Sequence, residues 1–329
     1  MATYKGIQGY SVQKLSSDPT VEDTVGQLWY NSSTGKFKIS VAGEGAWASA
    51  PAINTGRSSQ QSAGTSTSAV IAGGEQPGTF SSQICEEYNG TAWSEVNNLT
   101  DARYNVGSGT MGTQVAALAV GGNTIPVAYP PVESYDGTSW TEGPSLAKNR
   151  SMLACCGIQT AALAMGSDTP NSTAGNLSEE WSGVAWAEGN NLTNSRYQNP
   201  GAGTQTAALV VGDYNAVDVE AYDGTSWAAV NSINTGRYSA GATGIQTSAI
   251  VFGGQAPARS ALTEKYDGTS WTETGDLAVA RMQMGSAGLA SSGLCIGGAG
   301  QPSTPTSGLR TETEEFSDPV YTIKTVTVS

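Results

Sequence analysis

The sequence predicts an all-β fold assembled from repeated small sheets, and three observations support this. The 329 residues include 42 glycines and only 13% charged residues, a composition that favours many short strands joined by tight turns. A skeleton of Trp, then Leu or Ile six residues later, then Arg ten residues later, occurs six times. The skeleton tryptophans lie 41 to 47 residues apart, a period typical of architectures in which each repeat is one sheet.

Each part of the repeat predicts one structural element. An apolar run that ends on glycine, such as residues 249–254, indicates a buried strand followed by a turn. A Glu-x-aromatic motif stands before Trp, as in Glu264, Tyr266 and Trp271, and indicates a third strand. Asp-Gly or Asn-Gly pairs follow that aromatic residue and tolerate positive φ, so they are expected to join the third and fourth strands as hairpin turns of the primed types. The skeleton residues are Trp47, Trp93, Trp140, Trp186, Trp227 and Trp271, with Ile53, Leu99, Leu146, Leu192, Ile233 and Leu277, and with Arg57, Arg103, Arg150, Arg196, Arg237 and Arg281.

This order of paired glycines, then Tyr, then Trp resembles the kelch repeat over about residues 45–321. Gly166 and Gly212 depart from the kelch pattern because each is a single glycine, and Trp181 stands where the other repeats have Tyr. The resemblance implies a β-propeller of four-stranded antiparallel blades around a central channel.

Seven blades are predicted, because Glu314, Phe316 and Tyr321 repeat the pattern once more with Tyr in place of Trp. The seventh blade would be a composite of residues 27–31, residues 36–40 and the strand at Trp47 with residues 325–329, and it would close the ring. Six blades with the N-terminal strands packed outside is the alternative. The predicted division is an arm or linker over residues 1–25 and a propeller over residues 26–329.

The segment before the repeats has its own resemblance. Residues 26–31 read Gly-Gln-Leu-Trp-Tyr-Asn and are followed by the glycine turn of residues 32–35 and an aromatic strand at residues 36–40. This is similar to a lead-in of structural proteins from tailed phages, and the Gly/Ser/Thr/Ala-rich repeats resemble kelch-like proteins of marine and cyanobacterial phages.

The repeated side chains are expected to be structural. A large Trp ring can fill the gap between neighbouring blades, where its burial contributes on the order of 2–3 kcal/mol. One Arg and one Glu per repeat at fixed phase predict a buried ion pair, or hydrogen bonds to loop carbonyls, that hold the connection between blades. A ring of arginines facing a ligand is the alternative.

Composition excludes several activities. The net charge of −13, with no Lys/Arg cluster, disfavours nucleic acid as a partner. The chain has no His, which removes the usual general base and zinc ligand, and the copper-binding oxidases among kelch-like proteins use histidines. Adjacent glutamates such as Glu86 and Glu87 should face opposite ways on a strand, so they do not form the paired carboxylates of a glycosidase. No enzyme activity, metal or cofactor is expected, and the four cysteines are expected to be buried free thiols.

These observations predict a non-enzymatic virion protein of a tailed phage, serving as a structural or host-recognition component such as a tail fibre or capsid-associated protein. The expected location is the virion, assembled in the host cytoplasm, with other virion proteins bound through the N-terminal arm. A host-surface glycan or protein is the further expected partner. The alternative is a carbohydrate-binding propeller (a lectin) at the bacterial surface or secreted. No run of eighteen apolar residues occurs, so membrane insertion is not expected. Binding is assigned to variable loops after the glycines, with candidate residues Pro126, Tyr129, Pro130 and Arg259.

Overall fold

The computed structural model describes residues 12–19, 26–124, 127–128, 132–148, 150–166, 174–213, 216–304, 307–319 and 321–327. Over these residues the chain is all-β. It divides into two compact units, one of Met1–Gly45 with Asp318–Ser329 and one of Ala46–Ser317. No helix in this part of the chain is long and apolar enough to cross a membrane.

The first unit contains one four-stranded sheet, called here the terminal sheet. Its strands, in spatial order, are Gln13–Leu15, Leu28–Asn31, Lys36–Ala42 and Tyr321–Thr325. The first pair is parallel and the other two pairs are antiparallel. Trp29 is buried, and its indole N–H donates to Asp18 Oδ1 at 3.0 Å. The turn expected at residues 32–35 is confirmed, because Asn31 Oδ1 accepts the N–H groups of Ser33 and Thr34.

The second unit contains six four-stranded antiparallel sheets in its described residues, numbered here by their order along the chain. The first sheet has the strands Gln61–Thr65, Ser68–Ala72, Cys85–Tyr88 and Trp93–Val96. The second has Gly112–Thr113, Ala116–Val120, Val132–Tyr135 and Trp140–Gly143. The third has Ala154–Ile158, Ala161–Met165, Ser178–Trp181 and Trp186–Glu188.

The fourth sheet has the strands Gly201–Thr204, Ala207–Asp213, Ala216–Tyr222 and Trp227–Val230. The fifth has Gly241–Ile245, Ser248–Phe252, Thr263–Tyr266 and Trp271–Thr274. The sixth has Gly285–Leu289, Ser292–Ile296, Thr313–Ser317 and, as its fourth strand, Ala46–Ala50. Three small hairpins lie between second and third strands: Asn123–Thr124 with Val127–Ala128, Gln255–Ala256 with Ala258–Arg259, and Ala299–Thr304 with Ser307–Leu309.

The core lies between successive sheets. In the fifth sheet's second strand, four of five residues are buried, as the continuous apolar run at 249–252 predicts for a strand covered on both faces. Val251 of this strand packs in one cluster with Leu209 of the fourth sheet, whereas Ile250 packs in another with Cys295 of the sixth. Period-two alternation therefore sends neighbouring side chains of one strand to two different interfaces.

The first strands of successive sheets are joined by hydrogen bonds. Met111 N donates to Ser62 O at 3.2 Å between the first and second sheets, and Cys155 N donates to Ser108 O at 2.7 Å between the second and third. Between the sixth and first sheets, Ser286 N donates to Ser62 Oγ at 2.8 Å, and that hydroxyl donates to Ser286 O at 2.8 Å. An all-β unit of four-stranded antiparallel sheets arranged in this way is consistent with a β-propeller.

The predicted composition of a seventh sheet is wrong at Trp47. The strand Ala46–Ala50 pairs with Thr313–Ser317, and Trp47 lies opposite Phe316, which is the place that Tyr321 was expected to take. Tyr321 instead begins the terminal-sheet strand that pairs with Lys36–Ala42. The physical reason is that Phe316 supplies the aromatic partner that Trp47 lacks upstream, as Tyr88 does for Trp93. The two compact units divide the chain at 45/46 and 317/318.

Turns and cysteines largely follow the sequence prediction. Gly90, Gly137, Gly183, Gly224 and Gly268 all have φ between 87° and 92° in the turns between third and fourth strands. All four cysteines are buried free thiols, as predicted, and burial raises the pKa of Cys155 to about 12. Cys155 and its neighbour Cys156 belong to different core clusters, so they face opposite sides of their strand.

Candidate functional site

Six buried ion pairs fix the connections that enter the six sheets. Each repeat arginine precedes the first strand of a sheet and reaches a glutamate on the third strand of that same sheet. Arg150 and Glu179, for example, are 2.8 Å apart, with side chains 0% and 2% exposed. The six pairs are Arg57–Glu86, Arg103–Glu133, Arg150–Glu179, Arg196–Glu220, Arg237–Glu264 and Arg281–Glu314.

Both expected roles of these arginines occur together. Arg150 Nη1 donates to the carbonyls of Gly166 and Leu177, each at 3.1 Å, while Nη2 holds the carboxylate. The second carboxylate oxygen of Glu179 accepts the backbone N–H of Ala147 at 2.8 Å, in the connection itself. Burial lowers the pKa of Arg150 and the charge of Glu179 opposes that shift. The arginines therefore point into the sheets and do not form a ring that faces a ligand.

The tryptophans were expected in the gap between neighbouring sheets, and Trp271 of the fifth sheet lies in one core cluster with Leu209 of the fourth. The rings also pack against the aromatic residue of the adjacent strand, a contact that the sequence did not predict. Tyr266 and Trp271 are stacked with ring centroids 4.8 Å apart. The indole N–H of Trp271 also donates to Asn231 O, in the connection that enters its sheet, at 3.0 Å. Adjacent glutamates have different partners. Glu86 binds Arg57 of its own sheet, whereas the hydroxyl of Tyr135 in the next sheet donates a 2.9 Å hydrogen bond to Glu87.

Four glutamines were missed by the sequence prediction. They lie in the turns between first and second strands, and each donates to two backbone carbonyls of the preceding sheet; Gln205 Nε2, for instance, reaches Trp181 O at 2.6 Å and Ala162 O at 3.2 Å. The other three are Gln114, Gln159 and Gln246. Their signal in the sequence is Gly-x-Gln followed by Thr or Val, at 112–115, 157–160, 203–206 and 244–247.

A second missed feature is a set of six residues, called here the left-handed ring, which stand two positions after each repeat arginine. All six are non-glycine residues with φ between 50° and 59°, a conformation that costs on the order of 1–3 kcal/mol each and clusters at functional sites. They are Ser59, Asn105, Met152, Gln198, Ser239 and Gln283. No one side chain is common to all six, since the set contains two Ser, two Gln, one Asn and one Met, so only their phase relative to the arginines could have marked them.

Backbone hydrogen bonds link the left-handed ring residues into a closed circuit. Ser59 N donates to Gln283 O, and Gln283 N donates to Ser239 O, both at 2.8 Å. The circuit continues in the same sense through Gln198, Met152 and Asn105, and Val106 N closes it by donating to Ser59 O at 3.3 Å. Each positive φ is therefore held by a bond to the neighbouring sheet.

A cavity of about 40 Å³ lies within this circuit. It has room for about three water molecules, since one water needs about 10–15 Å³. Ser59, Asn105 and Gln60 line the cavity, and the buried Ser59 Oγ, Asn105 Oδ1 and Gln60 Oε1 atoms have no hydrogen-bond partner among the described residues. Its lining consists of neutral side chains only, a set suited to ordered water and not to proton transfer.

The loops between second and third strands start beside this cavity. Residues adjacent to the left-handed ring pair with the first loop residue after the glycines, as Ser58 pairs with Glu75 and Tyr238 with Gln255. Glu75 is largely withdrawn from water, and this desolvation raises its pKa to about 7, while a 3.5 Å hydrogen bond from Ser58 Oγ opposes the shift. The varied loops thus share one end of the six-sheet unit with the cavity.

The predicted binding residues have different outcomes. Pro126, Tyr129 and Pro130 lie outside the described residues. Arg259 is described: it is 9% exposed, it lies in a loop hairpin of the fifth sheet, and it donates to Gly300 O in the loop of the sixth. Of the four, only Arg259 can therefore be placed at the loop end.

These observations define the class of protein: an all-β protein whose four-stranded antiparallel sheets are consistent with a β-propeller. The fold is similar to a solved structure described as the structure of YjhT, with a TM-score of 0.63 and 13% sequence identity over 84% of this chain and 99% of that one. At this identity the similarity concerns the fold alone. No protein-family model matches the sequence, and no curated protein matches it.

Proposed function

We propose that this chain is a six-bladed, kelch-like β-propeller that serves as a structural or host-recognition protein on the virion of a tailed phage and carries out no reaction. The six-blade assignment is supported by the hydrogen bonds between Ser286 and Ser62 and by the closed circuit of the left-handed ring. The kelch assignment is supported by the repeated glycines, aromatic residues and tryptophans.

One observation supports the recognition role: the residues that recur in every repeat and the residues that differ between repeats lie in different parts of the six-sheet unit. Repeated Arg, Glu and Gln side chains are occupied by bonds within and between sheets, as shown for Arg150 and Gln205, and the repeated Trp rings pack in the core clusters. The segments that differ in length and structure between repeats are the loops between second and third strands, gathered at one end. A rigid scaffold with varied loops at one end is the usual arrangement of a recognition protein.

The virion location rests on the resemblance of residues 26–40 to a phage lead-in and on the terminal sheet. That sheet combines strands from both terminal segments in a compact unit of its own, which is suited to attachment. In this proposal the terminal unit binds other virion proteins and the loops contact a host-surface glycan or protein.

The test uses particles of the phage that encodes the chain. Immunogold labelling should place the full chain on the particle, and a Gly/Ser exchange of residues 123–131 should slow adsorption to host cells while incorporation continues. The matched control exchanges residues 267–270, a turn between third and fourth strands, and should leave adsorption unchanged. Detection of the chain only in a bacterial envelope would contradict the virion role and support the surface lectin; normal adsorption after exchange of residues 123–131 would exclude that loop as the recognition surface.

A further inference from the structure

Arg259 differs from the six repeat arginines in having no carboxylate partner among the described residues. At 9% exposed it is less deeply buried than they are, and its one hydrogen bond runs from Nη1 to the carbonyl of Gly300. Its Nε is buried and has no acceptor. A buried cation without a counter-charge is costly, because desolvation is not offset by a nearby opposite charge.

A second arginine converges on the same glycine. A Cβ atom at Gly300 would overlap the Nε and Nη2 atoms of Arg310, so the guanidinium of Arg310 lies directly against this residue. Arg310 Nε is also buried without an acceptor, and Nη1 makes only a 3.3 Å contact with the exposed Glu312. The pKa of Arg259 is lowered first by burial and then by the charge of Arg310, as expected for two neighbouring cations. Two guanidinium groups are thus held together on a chain whose net charge is −13.

Aromatic side chains lie on the strand segment next to the Arg259 hairpin. Tyr238 pairs with Gln255, which lies opposite Arg259 in that hairpin, and Tyr238 also raises the pKa of the Arg259 guanidinium. Tyr238 is stacked on Tyr197 with ring centroids 6.2 Å apart, and both rings are half-buried. A flat aromatic face next to a cation can pack on the C–H face of a sugar ring whose charged substituent reaches the cation.

We propose that Arg259 and Arg310, gathered at Gly300 beside Tyr238, form a binding site for the oxyanion of an acidic glycan, either a carboxylate or a sulfate ester. An oxyanion supplies several acceptor atoms and negative charge, which satisfies the unpartnered N–H groups and offsets the repulsion between the two cations. The aromatic pair favours a glycan over an acidic peptide. This inference rests on the proposed recognition function and names the chemical class of its ligand.

The experiment measures binding of the full chain to immobilised polygalacturonate, dextran sulfate, neutral dextran and poly-glutamate. We expect binding to one or both acidic polysaccharides, weakened by salt, and none to neutral dextran. Arg259→Gln and Arg310→Gln should each lower the affinity about tenfold or more. Lys148→Gln, which removes one exposed positive charge elsewhere, should change the affinity less than about twofold.

Gly300→Ala provides a second variant that keeps every charge. Its methyl group would displace only the flexible end of Arg310, so the fold should persist, as near-ultraviolet circular dichroism can confirm, while the affinity falls as in Arg310→Gln. Polygalacturonate and dextran sulfate distinguish a carboxylate from a sulfate ligand.

Three outcomes would overturn the oxyanion site: unchanged binding in both arginine variants, failure of both acidic polysaccharides to bind, or binding to poly-glutamate alone. If these variants adsorb to host cells normally while exchange of residues 123–131 abolishes adsorption, the oxyanion site is wrong and the recognition function stands. If particles lack the chain altogether, the virion function fails independently of polysaccharide binding.

Discussion

At the scale of single residues, the Arg–Glu pairs are the interactions on which each connection depends. Arg103 reaches Glu133, which also accepts the N–H groups of Thr100 at 2.8 Å and Asp101 at 3.4 Å. Arg103→Ala would leave that carboxylate buried without its cation. We expect the free energy of unfolding to fall by about 3–5 kcal/mol, measured by urea denaturation.

Lys148→Ala is the control for this prediction, because Lys148 is an exposed cation outside the repeated pairs and its removal should change the free energy of unfolding by less than about 0.5 kcal/mol. A double variant, Arg103→Met with Glu133→Leu, should remain less stable than wild type, since the loop N–H groups lose their acceptor. An Arg103→Ala protein with wild-type stability and lost ligand binding would favour the ring of arginines facing a ligand.

Glu75 gives the molecule a pH-dependent contribution to stability. Its pKa in the folded chain is raised to about 7, above that of an unfolded glutamate, so the folded state binds more protons between about pH 4.5 and 7. Its contribution to stability should therefore be present at about pH 4.5 and decline as the pH rises through 7. Thermal unfolding of Glu75→Gln between pH 4.5 and 8 should lack this decline, whereas Glu44→Gln, an exposed control, should retain it. A Glu75→Gln profile that parallels wild type would contradict this assignment.

The sequence predicted the repeat arginines but not the left-handed ring two positions later. The same residue type, Arg, recurs in every repeat because each must reach a carboxylate on the third strand. A residue type that recurs at a fixed position is visible in the sequence. The ring residues share only a backbone conformation, which bonds such as Ser239 N to Gln198 O impose from the neighbouring sheet. Asn adopts positive φ more readily than most residues, but Met, Gln and Ser do not, so the ring could not be read from the identities of its members.

At the scale of elements, the glutamine turns connect each sheet to the one before it. Gln205→Ala removes two hydrogen bonds to the third sheet, at Trp181 O and Ala162 O. The expected loss is about 1–2 kcal/mol, because two carbonyls lose a donor at a partly buried site. Ser66→Ala, at the equivalent turn position of the first sheet, should change stability by less than about 0.5 kcal/mol. Equal stabilities for the two variants in urea denaturation would show that the glutamine bonds contribute nothing measurable.

The sequence analysis assigned the Trp47 strand to the wrong sheet, and this error has a physical cause. A sequence pattern can identify two strands that form a hairpin, because they are close along the chain. Each complete repeat contains both its Glu-x-aromatic strand and its Trp strand. The first repeat has Trp47 without an upstream aromatic partner, and the last has Phe316, for which Tyr321 seemed the partner by spacing. The sheet is completed instead by pairing across the whole unit, between Trp47 and Phe316, which spacing along the chain cannot show.

At the scale of the whole molecule, the recurrence of the Trp, Leu or Ile, and Arg skeleton every 41 to 47 residues predicted most of the architecture. Strand order within each sheet, the turn glycines and the two-sided burial of second strands all follow from the repeat. The placement of the strands near Trp47 and Tyr321 did not, since Trp47 pairs with Phe316 of the sixth sheet whereas Tyr321 belongs to the terminal sheet. The loop residues that would define a ligand were equally unpredictable, because Arg259 and Arg310 meet at Gly300 only after two different repeats have folded.

The strand Ala46–Ala50 completes the sixth sheet, and we propose that this pairing closes a ring of six blades. Ala46 and Ser317 lie opposite each other on antiparallel strands, and both are exposed. Directly paired residues have a separation that a disulfide can span, and the four native cysteines are buried.

The most direct measurement is therefore peptide mapping of the Ala46→Cys, Ser317→Cys double variant after mild oxidation. We expect a disulfide between positions 46 and 317 in nearly all molecules and an unchanged or raised melting temperature. Free thiols at both positions in folded protein, or a cross-link that forms only after denaturation, would contradict the six-sheet closure.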